Sequence, residues 1–134
     1  MTPLTSQEQR VKDMLVEEKL AFEPHHVFDL GALGRHPVDF VVFLGAGVAI
    51  ECTGAYARRG RALADLRRRS ALINYWFGTI KKVFPKVSCA ALIEGPSEDQ
   101  ERLAAQLRPI LKDADSLTRT IGELREALRD LRGA

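Results

Sequence analysis

Asp39 and Glu51 are the residues of this chain best placed to do chemistry. Asp39 is the single charge in Val38-Asp39-Phe40-Val41-Val42-Phe43-Leu44, and Glu51 is the single charge in Val48-Ala49-Ile50-Glu51-Cys52-Thr53. Both runs are rich in β-branched and aromatic residues and are separated by Gly45-Ala46-Gly47, which predicts a hairpin. A register symmetric about Ala46 sets Asp39 opposite Thr53 and Val41 opposite Glu51. Side chains alternate faces along a strand, so Asp39, Glu51 and Thr53 then share one face. In that register the two carboxylates are diagonal neighbours, roughly 7–8 Å apart at the backbone. Paired carboxylates in apolar surroundings repel each other and resist burial unless a positive partner joins them. A hard divalent cation, Mg²⁺ or Mn²⁺, suits their oxygens. The competing reading leaves both acids at strand ends, exposed or paired with arginines, and a one-residue slip would separate them onto opposite faces.

The elements that must position these acids follow from periodicity. Thr5 and Glu8 are spaced as a capping box, and Val11, Leu15 and Phe22 recur at near-helical spacing, which predicts a helix from Thr5 or Ser6 that stops before Pro24. Three strands follow as a meander, at His25–Leu30, Val38–Leu44 and Val48–Thr53. The nearly all-apolar middle one should be central and covered on both faces. Leu63, Leu66, Ile73, Phe77, Ile80 and Phe84 trace one stripe of a second helix that ends at Pro85. A short strand, Val87–Ile93, then runs to Gly95-Pro96, where Ser97 and Gln100 form a second capping-box pattern. Beyond it, Leu103, Leu107, Ile110, Ala114, Leu117, Ile121, Leu124, Leu128 and Leu131 alternate three and four apart as a heptad seam. Pro109 should start, kink or split a helix within it. The seam residues Leu117, Ile121, Leu124, Leu128 and Leu131 fit either a homodimer or packing back on the sheet.

At 134 residues the chain is one domain, with an α/β core over 1–96 and a helical segment over 97–134. Hydrophobic residues at 46% and charged residues at 28% exclude a wholly disordered chain, a collagen and a disulfide scaffold. The net charge of +2 hides a strong asymmetry: residues 1–55 sum to −4, whereas residues 56–86 carry nine basic side chains against one acidic. Arg58, Arg59, Arg61, Arg67, Arg68 and Arg69 lie in that basic stretch. At about 100° per residue, three consecutive arginines fan across roughly 200° of a helix, so they cannot all face the core. They form a candidate phosphate-binding surface for DNA, against the plainer alternative of a solvated helix face. Tyr75, Trp76 and Phe77 are assigned to the core rather than to base stacking.

Cys52 and Cys89 lack metal-type spacing, and their pairing stays open. His25, His26 and His36 are read as surface or loop residues. No apolar stretch approaches the roughly 20 residues of a membrane span, and MTPLTSQEQR lacks the pattern of a signal peptide. A cytoplasmic protein with reduced thiols and no membrane partner is expected.

The element order, His36-Pro37-Val38-Asp39, the 11-residue gap and Glu51-Cys52-Thr53 together resemble the PD-(D/E)XK, or restriction-endonuclease-like, nuclease superfamily. Size and the opening helix with Glu8 are similar to its small Holliday-junction-resolvase-like members. The resemblance covers roughly residues 5–95. It implies a core ordered helix, three strands, helix, strand, helix, with a mixed sheet flanked by helices, and Mg²⁺-dependent cleavage of DNA by a homodimer. It assigns Asp39 and Glu51 as metal ligands, adds the Cys52 carbonyl, and offers Glu8 as a helix carboxylate that the capping box explains equally well. Thr53 departs from the pattern, because it stands where the family has a lysine. Three readings then stay open: metal ions alone activate the water, a cation such as Arg58, Arg59 or Lys19 substitutes, or the scaffold binds without cutting.

Overall fold

Local capping starts the fold. In the computed structural model, which describes residues 3–54, 62–95 and 100–133, helix α1 spans Ser6–Glu17. The Glu8 N–H donates to Thr5 Oγ1 and the Thr5 N–H to Glu8 Oε1, each at 3.1 Å. This capping box satisfies two backbone amides at the helix start. The helix is shorter than its apolar spacing predicts. Lys19 takes a left-handed φ of 54°, and Phe22 opens strand β1, Phe22–Asp29, instead of closing the helical stripe. Pro24 is tolerated inside β1 because this strand forms an edge of the sheet.

After a single 3₁₀ turn at Gly31–Leu33 come β2, Arg35–Val42, and β3, Val48–Gly54. They are followed by α2, Ala62–Val83, β4, Ser88–Glu94, α3, Gln100–Leu107, β5, Ser116–Thr118, and α4, Ile121–Gly133. The architecture is α/β, a five-stranded mixed sheet in the order β1-β2-β3-β4-β5 with four helices. Strands β1, β2 and β3 pair antiparallel, as a meander must, and β3, β4 and β5 pair parallel. Parallel neighbours need crossover connections, which α2 and α3 lie within.

The sheet divides the core in two. On one face α2 places Leu66, Ile73, Phe77 and Ile80 against Val41, Ala49, Ala91 and Ile93. On the other, Val11, Met14 and Leu15 of α1 and Leu124 and Leu128 of α4 pack on Phe40, Val42, Ile50 and Leu92. Strand β2 is therefore central and covered on both sides, as its continuous apolar run predicts. Cys52 and Cys89 are free thiols packed in opposite clusters. Among the described residues no helix is long and apolar enough to cross a membrane.

The C-terminal segment corrects the heptad seam. Helix α3 ends at Leu107, two residues before Pro109, and Leu117 lies in β5 rather than on a helix. Leu107 and Leu111 enter the α2 cluster, with Leu103, Ile110 and Leu117 packed against it, whereas Ile121, Leu124 and Leu128 join the α1 cluster. The expected dimer seam is thus split between two faces of the chain's own sheet. Leu131 remains 39% exposed. Ser97 of the second capping box, with Arg58, Arg59 and Arg61, lies outside the described residues.

Candidate active site

The site sits where the β-ladders fail. Strands β2 and β3 pair at Val42↔Val48, Val41↔Ala49 and Phe40↔Ile50, and this ladder stops short of Asp39. The register is shifted by two from the one symmetric about Ala46, so Asp39 lies level with Glu51 rather than with Thr53. A shift of two preserves parity along a regular ladder, but this one ends at Phe40↔Ile50, and the nearness of the acids is seen instead in the charge of Glu51 felt at Asp39. In place of the next ladder bond, Asp39 Oδ2 accepts the Cys52 N–H at 2.7 Å.

The β1–β2 ladder skips the same level. It pairs Pro24↔Phe40 and His26↔Val38 but not His25 with Asp39, and His25 has a left-handed φ of 50°. Strict alternation would put Val38 and Val41 on opposite faces, yet both pack in the α2 cluster. The pleat of β2 is therefore broken between them, beside Asp39. A left-handed conformation at a non-glycine residue is costly, and such strain gathers at functional positions.

This opening concentrates charge. Burial first, then the negative charge of Glu51, pushes the Asp39 carboxyl up to about 7, while the Cys52 N–H works against the rise. Glu8 adds to the repulsion and His25 opposes it. Burial also raises the Glu8 carboxyl, but the Thr5 amide, His25 and the Thr5 hydroxyl outweigh it and leave Glu8 below its ordinary value. Both Glu8 oxygens are engaged, Oε1 by Thr5 and Oε2 by His25 Nε2 at 2.8 Å. Glu8 thus serves as both helix cap and part of the acidic cluster. Burial, followed by Asp39 and Glu51, holds the Cys52 thiol well above its ordinary value.

Glu51 has a different environment. Its Oε1 lies 3.6 Å from His36 Nε2, and these two buried atoms have no hydrogen-bond partner. The His36 ring stacks on Trp76 of α2 with centroids 4.1 Å apart and planes within 7°. Beyond Glu51 on β3, the buried Thr53 hydroxyl accepts Arg69 Nη1 at 3.1 Å, and the Thr53 carbonyl accepts Gln7 Nε2 at 2.9 Å. Helices α1 and α2 therefore both hold the end of β3.

The structure sets Asp39 within reach of the charges of Glu51 and Glu8, and Arg69 is the cation at Thr53; the guesses Arg58 and Arg59 lie outside the described residues. Arg67 and Arg68 are exposed on α2, and Arg68 pairs with Asp65. The sequence reading sets His25 and His26 at the start of a strand but gives the histidines no part in the site; the structure adds His36 to β2 and brings His25 to Glu8 and His36 to Glu51. Their signal was strand register: His25 is level with Asp39 across β1–β2, and His36 lies three positions before Asp39. Of the aromatic triplet only Phe77 is fully buried, whereas Tyr75 is 60% exposed.

A cation fits this donor set. Glu51 presents a buried carboxylate oxygen without a hydrogen-bond partner, 3.6 Å from His36 Nε2, and Asp39 is raised first by burial and then by repulsion from Glu51, which a positive charge would relieve. Among the described residues no three His, Cys, Asp or Glu side chains gather as a metal-holding group. Two carboxylates suit Mg²⁺, which commonly retains several waters. The chain matches no protein-family model, no curated protein and no solved structure.

Proposed function

We propose that this protein is a metal-dependent endonuclease that hydrolyses DNA phosphodiester bonds, on a core of the restriction-endonuclease-like kind. The observation that carries the reading is Asp39, half-buried where the β2–β3 ladder stops, level with Glu51 and with its carboxyl pushed up to about 7. Asp39 and Glu51 would hold Mg²⁺ or Mn²⁺, and the Cys52 carbonyl is the further candidate ligand. The bound ion would supply Lewis-acid stabilisation of charge on phosphate oxygens and a more acidic water. The chain's own residues do the rest. The Cys52 N–H fixes Asp39, His25 and Thr5 fix Glu8, and Trp76 supports His36 against Glu51. Arg67, exposed on α2, is available to a phosphate backbone.

A second reading, a DNA-binding or assembly module without cleavage, is favoured by one residue: Thr53 supplies no charge of its own. Cleavage of duplex, branched and single-stranded DNA with Mg²⁺ or Mn²⁺ separates the two. The enzyme reading expects cutting by the unaltered protein and loss of at least 100-fold in Asp39→Ala and Glu51→Ala proteins that remain folded. DNA binding without cutting, on all three substrates and with both metals, selects the second reading.

A further inference from the structure

We propose that Arg69, seated on Thr53, is the phosphate anchor of the Asp39–Glu51 site, bringing from α2 the positive charge that the end of β3 does not carry. The inference rests on the nuclease reading and names the group that would hold its substrate.

Thr53 is 4% exposed, so its hydroxyl is a fixed point on the sheet. It lies two residues beyond Glu51, on the face of β3 toward α2, at a rise of about 3.3 Å per residue. Arg69 reaches that hydroxyl with Nη1 alone. A guanidinium carries five N–H donors in a rigid fork. One donor is spent on Thr53, and the residue as a whole is exposed.

Other arginines in the molecule are engaged differently. Arg10 makes a bidentate pair with Glu94, Arg68 pairs with Asp65, and Arg119, Arg125 and Arg129 pair with glutamates. Among the described residues Arg69 makes no ion pair. Its positive charge is held by a neutral hydroxyl, which orients the fork without neutralising it. An arginine oriented in this way can form a charge-assisted, bidentate contact to a phosphate oxygen pair at smaller entropic cost than a mobile one. The Gln7 contact to the Thr53 carbonyl fixes the same residue from α1, so the anchor's seat is held from both helices.

The test compares Arg69→Gln, Arg69→Ala, Thr53→Val and Thr53→Ser, with Asp39→Asn as the metal-site control, on labelled DNA oligonucleotides. In metal-free binding, loss of one phosphate contact should reduce the slope of log affinity against log salt by about one in both Arg69 variants. In Mn²⁺, both Arg69 variants should cut roughly 100-fold more slowly. Thr53→Val should fall between them and the unaltered protein, and Thr53→Ser should restore the rate. An unchanged salt slope together with near-normal cutting by the Arg69 variants overturns the anchor. If Asp39→Asn is still inactive in that case, the metal-site reading survives. Absence of cutting by the unaltered protein overturns the nuclease reading, and the binding slope then decides Arg69 alone: a reduced slope supports the anchor and an unchanged one overturns it.

Discussion

At Asp39, burial and the charge of Glu51 outweigh the Cys52 N–H and His25 that favour the carboxylate. The carboxyl is pushed up from 3.8 to about 7, so between these values the folded state retains a proton that the unfolded state releases. Stability therefore falls as pH rises from about 4 to 7 and levels off above. Asp39→Asn removes the charge and keeps the shape. We expect its melting temperature to exceed that of the unaltered protein by several degrees at pH 8 and to match it near pH 4. The same scan with Mn²⁺ should stabilise the unaltered protein at pH 8 and leave Asp39→Asn unmoved. Equal melting temperatures for the two proteins at pH 8 would mean that Asp39 is not under strain.

Among the elements, the N-terminal two thirds were legible in the sequence and the C-terminal third was not. Thr5 and Glu8 announce α1 because a capping box is local chemistry, and the apolar run from Val38 to Leu44 announces a buried strand because both its faces are covered. The nearness of Asp39 and Glu51 was legible from the hairpin itself, even with its register off by two. What the pattern could not disclose is the break at His25 and Asp39, which depends on backbone dihedrals rather than residue type. The leucine repeat misled because spacing of three and four continues across β5 and its turns. Only tertiary packing separates Leu107 from Leu124. Thermal unfolding distinguishes the two arrangements. Leu124→Ala and Leu128→Ala, emptying buried sites, should each cost about 2–5 kcal/mol, whereas Leu131→Ala at the exposed end should cost under ~1 kcal/mol. A dimer through the seam would instead make all three comparable and the melting temperature dependent on concentration.

For the whole molecule, the joining of α1 to α4 matters most. Val11, Met14 and Leu15 share a core with Leu124 and Leu128, and Arg125 and Arg129 bond Glu17 and Glu18 at 2.7 and 2.6 Å, with Arg132 on the Glu18 carbonyl at 2.6 Å. Exposed ion pairs contribute little singly, so the leucines carry most of the attachment. A chain ending at residue 120 should therefore lose protection from proteolysis in α1 as well as its own missing helix. The order of synthesis gives this arrangement a further meaning. Helix α1 is made long before α4, and the core it docks on is incomplete until α4 has followed it. Glu8 and Gln7 ride on α1, so the carboxylate cluster and the support of β3 are completed only once α4 has emerged and packed. A nascent chain that still lacks α4 holds the parts of the site without its geometry.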